Sequence, residues 1–75
     1  MMKTIRTILQ TARKKKGLTQ QQVANKLGIT LRSYQHYEYE ERKIPLSIAA
    51  YLSILLDVNI YDLVVRNSTP NDESA

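Results

Sequence analysis

Seventy-five residues without a cysteine make one small domain with a modest core, and leave no material for a disulfide framework or a thiolate metal site. The formal net charge is +4 and unevenly placed: Met1 to Ser33 hold eight Lys and Arg residues and no acidic one. One-sided positive charge of this kind is the electrostatic footprint of a nucleic-acid binder, and no apolar run approaches the length of a membrane span.

The first helix is predicted from Thr4 to Lys16, where Ile5, Ile8, Leu9 and Ala12 recur every three or four residues and form one stripe. Polar residues interrupt that stripe, which makes an amphipathic helix and not the core of a secretion signal. Lys14, Lys15 and Lys16 suit the negative end of the helix dipole as well as an approach to DNA. Gly17 ends the helix. Thr19 is a cap for the second helix, and Gln22, three residues on, completes a capping box. Val23, Ala24 and Leu27 share a face, and Gly28 stands where the chain must leave the helix left-handed.

Thr30 caps a third helix from Leu31 to about Tyr39. Tyr34, Tyr37 and Glu38 fall on its inward face. Leu31, Arg32, Ser33, Gln35, His36 and Tyr39 fall outward. A loop over 40–44 follows, and Pro45 suits the first turn of a fourth helix reaching Leu56. A fifth begins after Asn59, with Asp62 in its first turn and Ile60, Leu63 and Val64 inward. The stretch NSTPNDESA, Asn67 to Ala75, has no hydrophobic anchor and reads as a disordered polar tail. The expected division is a domain over 1–66 and a tail over 67–75. The fold class is all-α: a compact bundle of five short helices, without strand-like alternation or repeats.

The fourth helix has no obvious polar face. Between Leu46 and Leu56 only Ser47 and Ser53 are polar. A helix apolar nearly all round is buried on more than one side. Either it is the central core helix, or part of it meets a second chain through Tyr51, Ile54 and Val58, with Ile60 and Tyr61 nearby.

The segment LTQQQVANKLGITLRSYQHYE, Leu18 to Glu38, resembles the helix-turn-helix of the lambda-repressor-like, or Cro/XRE, family. The matching positions are Leu18 to Gln20, Ala24, Leu27, Gly28, Ile29 and Glu38, with Tyr34 and Tyr37 as anchors of the third helix. The likeness runs from Ile5 to Val65. It implies a third helix that docks in the major groove of an operator. Leu31, Arg32, Ser33, Gln35 and His36 are then candidates for base edges: Arg32 suits guanine and Leu31 a thymine methyl. Thr19, Gln20, Tyr39, Arg42 and Lys43 are candidates for phosphate. Arg13 and Glu38 resemble an ion pair tying the first helix to the end of the third. Several of these residues also have plain readings: Arg32 and His36 as solvated side chains, Gln20 as a good helix former, Tyr39 as either a contact or an edge residue.

Two departures stand out. Where the family has glycine after the third helix, this chain has Glu40 and then Glu41, which points to a longer helix and sets carboxylates near a phosphate path. The outward face also carries Leu and Tyr more than amides, a surface that suits a protein as well as a groove.

The resemblance implies a sequence-specific transcriptional regulator, not an enzyme. No nucleophile constellation, metal cluster or phosphate loop is visible. No cofactor, metal or small-molecule ligand is expected. The expected partner is double-stranded operator DNA, bound as a homodimer in the cytoplasm of a bacterial host cell. Shortness favours a Cro-type switch protein, with a phage of a Gram-positive host as the source. The alternative is an antirepressor or modulator that binds a cognate repressor protein through the same surface. An antitoxin is a third option, with little tail to wrap a toxin.

Overall fold

The computed structural model describes residues 4–67, and the side chains of residues 4–65. Five helices follow in order: α1 (Ile5–Lys15), α2 (Gln20–Leu27), α3 (Leu31–Glu38), α4 (Leu46–Leu55) and α5 (Ile60–Asn67). There is no strand among the described residues. α2 packs on α3, α1 lies against both α3 and α5, and α4 lies against α5 and α2. Where these helices meet, Ile5, Leu9, Val23, Ala24, Tyr34, Ile44, Ala49, Leu52, Leu56 and Leu63 close into one core.

Helix starts follow the local chemistry. Thr4, Thr19 and Thr30 stand at the N-caps of α1, α2 and α3, each hydroxyl accepting from a backbone N–H three residues on. At α2 the capping box closes, with Gln22 Oε1 accepting from the Thr19 N–H at 2.8 Å. Pro45 precedes α4 as its N-cap, one position earlier than the first turn expected of it, and supplies no side-chain bond.

Helix ends share one device. After α1, α2, α3 and α4 a single residue turns left-handed: Gly17 (φ +71°), Gly28 (+74°), Glu40 (+62°) and Asp57 (+59°). Each time, the next N–H returns to a carbonyl five residues back: Leu18 to Arg13, Ile29 to Ala24, Glu41 to His36 and Val58 to Ser53, at 2.8–3.1 Å. Glycine meets that geometry without steric cost, while a side chain costs about 1–2 kcal/mol.

The Glu40 turn corrects the expectation of a longer third helix. α3 ends at Glu38, with Tyr39 as its C-cap, because Glu40 adopts the glycine-like conformation despite its side chain. The Glu40 carboxylate is occupied as well: Oε2 accepts the backbone N–H of Arg6 at 3.2 Å, in the first turn of α1. Two further corrections concern the other half. Val64 is not inward but 41 % exposed, because Leu63 alone of that pair points to the core. The expected tail began at Asn67, which is instead the last residue of α5; residues 68–75 lie outside the described residues.

Candidate nucleic-acid interface

The inner face of α3 is built first, because it decides how the outer face stands. Tyr34 and Glu38, four residues apart, are fully buried. The Tyr34 hydroxyl donates to Glu38 Oε1 at 2.7 Å. From α1, Arg13 closes a two-pronged ion pair on the same carboxylate, Nε to Oε1 at 3.0 Å and an Nη to Oε2 at 3.3 Å. Its other terminal nitrogen donates to the Leu18 carbonyl. From α2, Gln20 Nε2 donates to Glu38 Oε2 at 2.8 Å and to the Tyr39 hydroxyl at 3.0 Å. Burial alone would raise the Glu38 pKa, but the bonds from Arg13, Tyr34 and Gln20 outweigh it and hold the carboxyl below its ordinary value. Burial, then the bond to Glu38, pushes the Tyr34 hydroxyl well above its usual range. The bond to Glu38, against some loss of hydration, raises Arg13, which stays charged. Three helices therefore meet on one carboxylate, and α3 cannot roll about its axis without breaking charged bonds.

The outer face of α3 holds a shallow cleft of about 230 Å³ lined by Arg32, Gln35, His36, Tyr39 and Glu41. Four of these are expected site residues, and the fold brings them together. Arg32 is exposed, and its guanidinium has no partner among the described residues. Gln35 Nε2 donates to Gln20 Oε1 at 3.1 Å, which leaves one amide N–H and the Gln35 Oε1 facing outward demands. Leu31 and Ser33 are half-buried; Ser33 belongs to the cap, its N–H and Oγ both bonded to Thr30 Oγ1.

Among the phosphate candidates, the Thr19 hydroxyl is engaged in its capping bond and the Gln20 amide is fully used inside the protein. What remains at the start of α2 is the O–H proton of Thr19, which only accepts in the capping bond, and the backbone N–H of Gln20. Arg42 and Lys43 are exposed in the loop after α3, where the Arg42 N–H bonds the His36 carbonyl at 3.2 Å.

Sequence reasoning does not single out Arg6, and it names Glu40 and Glu41 only as carboxylates near a phosphate path, not for the contacts they make. Arg6 lies over the Tyr39 ring, 4.8 Å from its centroid, and Glu40 holds the Arg6 backbone. Glu41 stands on His36, Oε1 to Nδ1 at 2.8 Å. The pair His36 and Glu41 straddles a helix end, so only the left-handed turn at Glu40 makes them neighbours.

The expected protein-contact residues separate into two sets. Tyr51, Ile54 and Tyr61 are exposed, Ile54 by 82 %, and Leu46 joins them at 68 %. Val58 and Ile60 instead pack against the core, where the α4–α5 turn tucks them in.

Two short helices joined through a left-handed glycine, the second braced from within and open without, define a helix-turn-helix module. Residues 9–63 match the model of the Helix-turn-helix family of Cro/XRE type, and the chain belongs to that family, one of regulators and not of enzymes. It is similar to two uncharacterised HTH-type transcriptional regulators of Bacillus subtilis strain 168. YobD is 42% identical over 52 residues, covering 69% of this chain and 46% of its own. YqaE is 42% identical over 52 residues, covering 69% and 45%. The chain spans about half the length of these curated relatives. No solved structure matches it. No helix among the described residues is long and apolar enough to cross a membrane.

Proposed function

We propose that this chain is a sequence-specific DNA-binding transcriptional regulator of the Cro type, serving a phage or bacterial genetic switch in the cytoplasm of a bacterial cell. The observation that carries the reading is the α3 cleft: Arg32, Gln35 and His36 gather unspent polar atoms over a helix whose roll is fixed by the Arg13–Glu38 pair. Arg32 offers the fork that matches guanine O6 and N7. The remaining N–H and Oε1 of Gln35 are the pair that adenine N6 and N7 require. Leu31 and Ser33 complete the reading edge. Thr19 serves phosphate through its hydroxyl proton and Gln20 through its backbone N–H at the start of α2, with Tyr39, Arg42 and Lys43 further along the strand.

One module covers only about 600–1,000 Å² of protein surface on DNA. A two-fold dimer reading half-sites about one helical turn apart multiplies that area. The exposed residues Leu46, Tyr51, Ile54 and Tyr61 supply the apolar contact for a second copy. The test is selection of bound sequences from a random duplex pool, followed by titration of the selected site at several salt concentrations. Affinity should fall log-linearly with salt. Arg32→Ala should cost about 1–3 kcal/mol on that site and relax one base preference. An unchanged site profile removes Arg32 from the reading set, and no enrichment at all overturns the reading.

A second reading is a modulator that docks on a cognate repressor protein. The exposed carboxylates of Glu40 and Glu41 beside the α3 cleft favour it, since negative charge there opposes phosphate. Sedimentation with a purified repressor separates the two: absence of a mixed complex at micromolar concentration excludes the modulator.

A further inference from the structure

Glu41 lies beyond the end of α3, past the C-cap Tyr39, and two separate links hold it to one residue of the α3 cleft, His36. Its backbone N–H donates to the His36 carbonyl at 2.8 Å, and its Oε1 lies 2.8 Å from His36 Nδ1. The Glu40 turn at φ +62° makes both links geometrically available. An ionised carboxylate only accepts hydrogen bonds, so the proton of this contact sits on Nδ1. In the neutral imidazole the other nitrogen, Nε2, is then an acceptor. Among the described residues Nε2 has no partner, while the ring lines the cleft beside Arg32, Gln35 and Tyr39.

We infer that Glu41 is a specificity-determining positioning residue, acting through His36. By holding the proton on Nδ1 it presents Nε2 to the groove as an acceptor. That matches the exocyclic amine of adenine or cytosine and refuses guanine, whose major-groove edge carries acceptors only. The inference rests on the DNA-reading proposal above. Arg32, one turn earlier and lining the same cleft, offers only donors. The cleft thereby holds a donor and an acceptor side by side, so neighbouring base pairs are asked for opposite edges. Released from Glu41, the imidazole can move its proton to Nε2 and accept guanine as well. The carboxylate that opposes phosphate binding is on this view kept for what it does to one letter of the site.

The experiment is sequence selection from a random duplex pool with the full chain, its Glu41→Gln and Glu41→Ala variants, and His36→Ala. The parent chain should enrich adenine or cytosine at the position that His36→Ala flattens. Both Glu41 variants should admit guanine at that position alone, with discrimination falling roughly threefold to tenfold, the worth of one hydrogen bond. Loss of a negative charge raises affinity for all sequences together, so a purely electrostatic role leaves the base profile unmoved. A profile unchanged in the Glu41 variants, or unchanged in His36→Ala, overturns the inference. A long-range ¹H–¹⁵N spectrum of the parent chain gives a second reading that needs no DNA and no variant. The proton of His36 should appear on Nδ1, and a neutral ring protonated on Nε2 overturns the inference. Failure of the parent chain to enrich any sequence overturns the DNA-reading proposal itself, and is distinguishable because the His36 tautomer is measured independently.

Discussion

The α2–α3 pair and the α4–α5 pair are of similar length but held by different forces. α2 and α3 open on threonine caps, and their contact with α1 runs through a fully buried carboxylate that takes bonds from Arg13, Tyr34 and Gln20. α4 opens on Pro45 without a side-chain cap and is held by burial of Ala49, Leu52 and Leu56, while Leu46, Tyr51 and Ile54 remain exposed. Directional bonds fix the orientation of a helix; apolar burial fixes only that it is covered. The first half can therefore present polar atoms at set positions. The second presents an apolar surface that asks only for another apolar surface.

That contrast can be broken most forcefully at Glu38. Glu38→Ala strands the Arg13 guanidinium in the interior, and removal of one partner from a buried pair costs about 3–5 kcal/mol. For a domain of this size that is a large part of the total stability. Chemical denaturation should show the loss directly, and a small change would show that α3 is held by burial like α4. Acid should reach the same link more gradually. The Glu38 pKa lies below its ordinary 4.5 in the folded chain, so the stability it contributes is full above that value. It is lost as pH falls through the lower folded value. Melting temperature should drop on acidification in the parent chain, and by less in Glu38→Gln, already weakened at neutral pH. Tyr34 works in the opposite sense, its raised pKa adding stability that is present below 10.0 and lost as pH rises beyond it.

Smaller effects sharpen the comparison. Thr19→Ala and Thr30→Ala should each cost about 1 kcal/mol by denaturant midpoint, the worth of an N-cap. No comparable substitution exists at Pro45, where no side-chain bond is made. Least of all should change in Ile54→Asp, within about 0.5 kcal/mol for the isolated domain, because the side chain is already in water. Its effect should instead appear in sedimentation, as loss of the proposed homodimer; unaltered association would move the proposed contact elsewhere.

Those same contrasts explain how much was legible beforehand. Caps are local chemistry, so Thr19, Thr30 and the Gln22 box could be read directly. Gly17 and Gly28 announce the left-handed turns that end α1 and α2. Glu40 and Asp57 make the same turn with nothing in their composition to say so, since the return bonds to His36 and Ser53 select it. Hence the expected extension of α3; and the sequence shows Glu41 only as a carboxylate near a phosphate path, since its contact with His36 exists only after that turn. α4 is apolar on all sides, so periodicity could not say which residues face water. The resemblance supplied the Arg13–Glu38 pairing, yet not that Gln20 spends its whole amide on Glu38, Tyr39 and Gln35.

The bond from the Arg6 backbone to Glu40 spans 34 positions of the chain, and Arg13 reaches 25 positions to Glu38. Gln20 braces α3 from α2, but the charged brace, Arg13, and the Arg6 backbone come from α1, outside the two helices that give the motif its name. A segment cut at Gly17 and grafted onto another scaffold would carry the whole alphabet of contacting side chains, but no hand to hold the pen. The smallest portable reader in this protein begins at Thr4.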